Sequence, residues 1–178
     1  MTRLPLIDPE AATGKIAEML HEYEDRSGAP PGPMVRGLAG SAAMLRGYLD
    51  LNRAMKRAHL ERRVHEQVSL AAQAHIGCQY CIAAHTRMGK EAGLSDRDVE
   101  LALQGTADEP HVAALVAFVQ QVLRAPSEIS DDDVARLKEL GWRDEQIADV
   151  VGLAALNLLT GGFNLVAGIE LQTPLKTS

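Results

Sequence analysis

Aromatic residues are scarce in this chain: its 178 residues hold two Phe, three Tyr and one Trp, or 3% of the total. A core without aromatic bulk has to be filled by Leu, Val, Ile, Met and the many Ala, and small side chains suit helices that pack closely. An excess of basic charge is also missing. The formal net charge of -6, from 18 Lys and Arg against 24 Asp and Glu, argues against nucleic acid as the main partner, since phosphate binding needs a concentrated basic patch. Arg53, Lys56, Arg57, Arg62 and Arg63 do cluster, but they read as the solvated face of a helix end. No segment alternates with period two over a strand's length, and no Asn-Gly or Asp-Gly hairpin signal occurs, which excludes a β-rich fold. The chain does not open on a basic stretch followed by an apolar run, because Arg3, Asp8 and Glu10 fall within its first ten residues. A cytoplasmic location is therefore expected. One run, Val150 to Ile169, lacks charge over about the ~20 residues of a membrane span. Asn157, Thr160 and Asn164 within it, and the want of a second span, favour a buried or subunit-interface helix and no membrane partner.

What is present is helical periodicity. Asp8-Pro9 reads as a helix start, followed by Ile16, Met19, Leu20 and Tyr23 at helical spacing and an end near Arg26. Gly28, Pro30, Pro31, Gly32 and Pro33 make an irregular linker from Ser27 to Met34. Ser41 caps a helix carrying Leu45, Tyr48, Leu49 and Met55, and a further helix runs from Leu60 to about Ile76, ended by Gly77. The next covers about Gln79 to Ala92 and stops at Gly93, after which Ser95 and Asp98 form a capping box before Val99, Ala102 and Leu103. Val112, Leu115, Val116, Val119, Val122 and Leu123 repeat with period 3.6. Ser130 starts a helix that Gly141 ends, and Ile147, Val150, Val151, Ala154 and Leu158 open a long last helix. The expected fold is an all-α, single-domain bundle of about seven or eight helices.

The only two cysteines sit together as Cys78-Gln79-Tyr80-Cys81, just after the Gly77 stop and at the start of a helix. A bridge over so short a loop would constrain the unfolded chain little, so a structural disulfide is a poor explanation. A helix N-terminus, with its positive potential and free N–H groups, stabilises thiolate over thiol, and the thiolate is the nucleophile. His85 follows Cys81 by four residues, a spacing that brings the two side chains together on one helix face, where the imidazole can act as base to the thiol. Glu66 lies on the preceding helix. If the chain reverses at Gly77, its carboxylate faces the early turns of the Cys helix and can orient His85, although a solvated Glu66 is the simpler reading of the residue alone.

Glu66, eleven intervening residues, C-Q-Y-C, three residues and His85, written E-QVSLAAQAHIG-CQYC-IAA-H, resemble the signature of the AhpD-like alkylhydroperoxidase core within the carboxymuconolactone decarboxylase-like superfamily. The Pro-rich linker with Ser41 to Leu45, the G-L-S-D after the Cys helix and D-E-Q-I-A-D-V-V-G-L-A-A-L-N-L-L are similar to peroxidase-related members, so the likeness covers most of residues 27 to 168. It implies one AhpD-like domain over 1–178 and a thiol peroxidase or dithiol/disulfide oxidoreductase that needs no cofactor. Cys81 would attack a hydroperoxide and become a sulfenic acid, Cys78 would resolve it to a disulfide, and His85 with Glu66 would handle the protons. An external dithiol, lipoyl or thioredoxin-like, would reduce the pair, and the subunits would form homo-trimers or hexamers. The pattern departs at Tyr80, where the best-characterised peroxidases carry a second His, and the proton relay is correspondingly shorter. Lactone decarboxylation is disfavoured, since members with that activity lack the cysteine pair.

Two other readings compete. His75, Cys78, Cys81 and His85 have spacings that zinc sites use, although His75 and His85 would have to converge from two helices and Glu66 would have no part. A non-enzymatic redox sensor would instead change its assembly on oxidation. Asn157, Gly161, Asn164 and Gly168 form a small, polar stripe that allows close helix approach, within a subunit or between subunits.

Overall fold

Helix α4 (Arg62–Ile76) organises the molecule, because Val64 and every residue from Glu66 to Gln73 along it are buried. A helix buried on most of its circumference must be surrounded, and α4 packs against α5 (Gln79–Glu91), α6 (Asp96–Leu103), α7 (Pro110–Arg124) and α9 (Asp144–Ala167). Ala71 and Ala72 let α7 and α9 approach closely, and Val68 joins Val112, Leu115, Val116, Val119, Val150 and Leu153 in the main core. A second cluster lies to one side, where α1 (Gly14–Ser27), α2 (Pro33–Leu38) and α3 (Ala42–Met55) bring Met19, Leu20, Leu38, Leu45 and Leu49 onto Leu156 of α9. Helix α8 (Asp131–Glu139) closes over α7 after a short 3₁₀ turn at Pro126–Glu128. The structure is a computed structural model that describes residues 2–170.

The all-α expectation holds. The described residues form nine α-helices where seven or eight were expected, and α2 is an addition that the linker reading passed over. Pro33 does not block it because it lies in the first turn, where no N–H is needed. Asp8-Pro9 is not a helix start. The Asp8 carboxylate accepts the Glu10 N–H at 3.2 Å and its carbonyl accepts the Ala11 N–H, so the segment closes as an isolated turn and α1 begins at Gly14. The capping boxes at Ser95/Asp98 and Ser130/Asp133 both form, the former as anticipated.

Helix α9 is long and apolar enough to cross a membrane by composition, yet it packs against α2, α3, α4 and α7. Its polar stripe faces inward: Gln73 Nε2 of α4 donates to Asn157 Oδ1 at 2.8 Å, and a methyl group on Gly161 would strike the Gln73 side chain. Gly168 lies past the end of the helix as a left-handed cap, φ 67°. The stripe therefore serves packing within the subunit.

The chain reverses between α4 and α5 at Gly77, whose φ of 84° is left-handed and whose N–H returns to the Gln73 carbonyl at 2.8 Å. A side chain is disfavoured in that conformation. Gly77→Ala is expected to cost about 1–2 kcal/mol, read as a lowered urea midpoint at unchanged slope.

Candidate active site

The reversal at Gly77 fixes where the cysteines fall. Cys78 is the N-cap of α5, with its Sγ accepting the Cys81 N–H at 3.3 Å, so the cap role that Ser or Asp usually fills is taken by a sulfur. The two sulfurs lie against each other, and the Cα–Cα separation of 5.3 Å is one that a disulfide can span. They differ in outlook. Cys78 is 1% exposed, whereas Cys81, 6% exposed, opens on a cleft of about 320 Å³.

Glu66 and His85 meet as the antiparallel arrangement of α4 and α5 requires. His85 Nδ1–H donates to Glu66 Oε2 at 2.8 Å, and both residues line the cleft with Cys81. The hydrogen bond the structure gives His85 is this one to Glu66, while Cys81 shares the cleft wall with the imidazole. Glu66 is 5% exposed, so the solvated alternative does not hold. Burial by itself would push its carboxyl up; the hydrogen bond from His85 and the neighbouring His65 imidazole outweigh that and hold its pKa down at about 2. The second imidazole, His65, lies 3.6 Å from Glu66 Oε1 and also lines the cleft. Sequence reasoning missed it because adjacent residues on a helix do not normally face one another.

All three tyrosines of the chain line this cleft. Burial pushes the phenols of Tyr48 and Tyr80 up, so both are neutral hydroxyls at physiological pH. Met34, Met55 and Met88 add polarisable apolar wall. The far wall is amide and hydroxyl: Asn157, Thr160 and Asn164 of α9 line it, and Asn164 Nδ2–H donates to Cys81 Sγ at 3.2 Å. Sequence reasoning placed Asn164 in a packing stripe and gave it no contact with sulfur.

The four zinc-type ligands are not brought together, because His75 is exposed at the end of α4 while Cys78 is buried. Among the described residues no group of three or more His, Cys, Asp or Glu is placed to hold a metal ion.

A helical bundle that presents a C-x-x-C pair at a helix start, over an enclosed cleft shared with a Glu–His pair, is a dithiol scaffold. The carboxymuconolactone decarboxylase family model matches residues 42–125, the stretch from the start of α3 to the end of α7. An alkyl hydroperoxide reductase of Mycobacterium tuberculosis is 29% identical over 101 residues, which are 57% of this chain and 29% of that protein, so the chain spans less than a third of this curated relative. The crystal structure of a peroxidase-related protein with an alkylhydroperoxidase AhpD core, from Ralstonia eutropha JMP134, superposes with a TM-score of 0.81 at 23% identity, over 95% of this chain and 91% of that one. A debrominase in complex with a tribromopyrrole superposes with a TM-score of 0.77 at 12% identity, over 97% of this chain and 92% of its own. Over these residues the chain is similar to the carboxymuconolactone decarboxylase family, and its fold is that of the AhpD-core structures.

Proposed function

We propose that this protein is a thiol peroxidase of organic hydroperoxides, with Cys81 the attacking sulfur and Cys78 the resolving one. The observation that carries the reading is that Cys81, and not Cys78, opens on the cleft that holds the Glu66–His85 pair. The Cys81 thiolate attacks the hydroperoxide oxygen: an S–O bond forms, the O–O bond breaks, sulfur loses two electrons and the alkoxide leaves as alcohol after taking a proton from the His85 side. Cys78 then displaces hydroxide from the sulfenic acid, which departs as water once protonated, and the Cys78–Cys81 disulfide remains. An external dithiol, lipoyl or thioredoxin-like, returns the two electrons, in keeping with a cytoplasmic setting. Assembly into a homo-oligomer, a trimer or hexamer, belongs to the same reading. His65 supplies a second imidazole on Glu66, on the helix opposite the one where Tyr80 replaces the motif His.

The cleft's phenol and thioether walls favour an alkyl or aryl group over bare hydrogen peroxide. Burying such a group is worth about 1.5–3 kcal/mol, so cumene hydroperoxide is expected to react roughly 10- to 100-fold faster than hydrogen peroxide. The test is intact mass spectrometry of the reduced protein after one equivalent of each: rapid loss of about two mass units per chain supports the reading. Oxidation that alters assembly without turnover on a supplied dithiol would make the protein a sensor instead. A brominated pyrrole belongs in the same substrate panel, because the debrominase shares the fold, although not at an identity that carries its activity.

A further inference from the structure

Beneath the cysteines, α4 and α9 meet through a layer of amides and hydroxyls where apolar packing would be expected. Ser69, Gln73, Asn157, Thr160 and Asn164 are all 9% exposed or less, with Gln73 and Asn164 at 0%. Most of the layer is satisfied internally: Gln73 Nε2 bonds Asn157, Asn157 Nδ2 donates to the Leu153 carbonyl at 2.9 Å, and Thr160 Oγ1 donates to the Leu156 carbonyl at 3.0 Å. Asn164 differs. Its Nδ2–H goes to Cys81 Sγ at 3.2 Å and reaches Cys78 Sγ only at 3.9 Å, while its Oδ1, like Gln73 Oε1, is buried with no partner. A fully buried amide bonded only to sulfur, with its carbonyl orphaned, is a costly choice for a core position that Leu would fill. The reverse amide orientation would set the carbonyl dipole against the sulfur lone pairs and oppose a thiolate.

Helix α9 holds this amide firmly. Asn164 lies in its last turn, and its own carbonyl takes the Ile169 N–H at 2.9 Å in the Gly168 cap. Arg3 then pins that end, with its N–H on the Ala167 carbonyl at 2.7 Å and Nη1 on the Leu165 carbonyl at 2.6 Å. The two cysteines are thus served by different donors: the backbone N–H of Cys81 for Cys78, and the Asn164 side chain for Cys81. The other groups around the cleft that bear on the charge of Cys81 are Glu66 and His65 on α4, His85 and Arg87 on α5, and Lys56 beyond the end of α3. The phenols of Tyr23 on α1, Tyr48 on α3 and Tyr80 on α5 also line the cleft, and burial keeps those of Tyr48 and Tyr80 neutral. Helix α9 contributes no ionisable side chain to the cleft, so from that side Asn164 is the donor that reaches the sulfur.

We propose that Asn164 is a catalytic residue of the dithiol site: its Nδ2–H stabilises the Cys81 thiolate and so selects the sulfur that faces the cleft over the buried Cys78. The assignment rests on Cys81 as the attacking atom. Without the amide donor, the α5 N-terminus is the remaining bias, and it favours Cys78.

The experiment is a thiol titration of the reduced full-length protein by thiolate absorbance, with sub-stoichiometric iodoacetamide labelling mapped by peptide mass spectrometry. Wild type, Asn164→Leu, of similar size without a donor, and Asn164→Asp, of the same shape without a donor once ionised, are compared. The expected result is a rise of about one to two units in the lowest thiol pKa of both variants, the size of one hydrogen bond to a charged group, with the label moving from Cys81 towards Cys78. A merely structural Asn164 would move neither the midpoint nor the labelled residue, and that outcome overturns the proposal. Should both variants fail to fold, the side-chain amide resonances of ¹⁵N-asparagine-labelled wild type decide. The pair assigned to Asn164 must titrate with the thiolate midpoint, and an Asn164 resonance that ignores it overturns the proposal equally. No peroxide enters these measurements. An Asn164-dependent Cys81 thiolate in a protein that consumes no hydroperoxide would sink the peroxidase reading and leave this assignment standing.

Discussion

Cys81→Ser is expected to lower the rate of hydroperoxide consumption by about 1,000-fold or more, the scale on which enzymes lose activity when their nucleophile is removed. A serine hydroxyl at that position keeps the size of the thiol but is not ionised at neutral pH, and the His85 imidazole is engaged with Glu66. Cys78 is a poor replacement, since at 1% exposure it has no face on the cleft. Cys78→Ser should behave differently: it consumes one equivalent of peroxide at close to the wild-type rate, gains about 16 mass units and holds them as a sulfenic acid that dimedone traps. Turnover on a dithiol is lost in both. The asymmetry between the two serines is the measurement that matters, read by stopped-flow mixing and intact mass. If Cys78→Ser is the variant that fails to react with peroxide, the roles of the two sulfurs are reversed, and the donor to Cys78 at the α5 N-terminus outweighs both Asn164 and access.

The sequence made the frame of this site legible because its parts are local. Period and caps placed α4 and α5 to within two residues of their observed ends, and Gly77 announced the reversal that sets Glu66 beside His85. The i, i+4 relation of Cys81 and His85 also put both on one cleft wall. What stayed illegible came from elements distant in the chain. The bond from Asn164 spans 83 residues, and nothing local distinguishes an asparagine that fills a helix seam from one that donates to sulfur. The three tyrosines come from three helices, and only the packing of α1, α3 and α5 gathers them. Glu66 shows the same limit in another form: a carboxylate on a charged-looking helix reads as solvated until its surroundings are known. Asp8-Pro9 failed for the opposite reason, since a local side-chain turn satisfied the backbone before a helix could.

Glu66→Gln is expected to flatten the acid limb of the stability curve and to slow the reaction with hydroperoxide. In the folded protein the Glu66 carboxyl titrates at about 2, against 4.5 for an unhindered glutamate. As pH falls between those values the unfolded chain binds the proton first, so folding loses stability over that window. The contribution is complete above about pH 4.5 and gone below about pH 2, and the interval corresponds to at most about 3 kcal/mol, a large part of a typical domain's 5–15. Glutamine keeps the size and can accept the His85 N–H through Oε1, but it has no proton to gain, so the variant lacks this component. Urea midpoints at several pH values from 7 down to 3, taken for wild type and variant in parallel, isolate it. Other carboxylates held low by neighbours, such as Asp98 and Asp133 in their capping boxes, are common to both proteins and cancel in the difference. The chemical step should suffer as well. The carboxylate is the negative charge beside His85 when the imidazole carries a proton, and losing it from a proton-handling pair is expected to lower the hydroperoxide rate by about 100-fold at neutral pH. A variant with the wild-type acid slope would mean that Glu66 titrates alike in the folded and unfolded chains and that the two imidazoles do not hold its charge. A variant with the altered slope and an undiminished rate would leave the pair a structural one, with the proton delivered from elsewhere in the cleft.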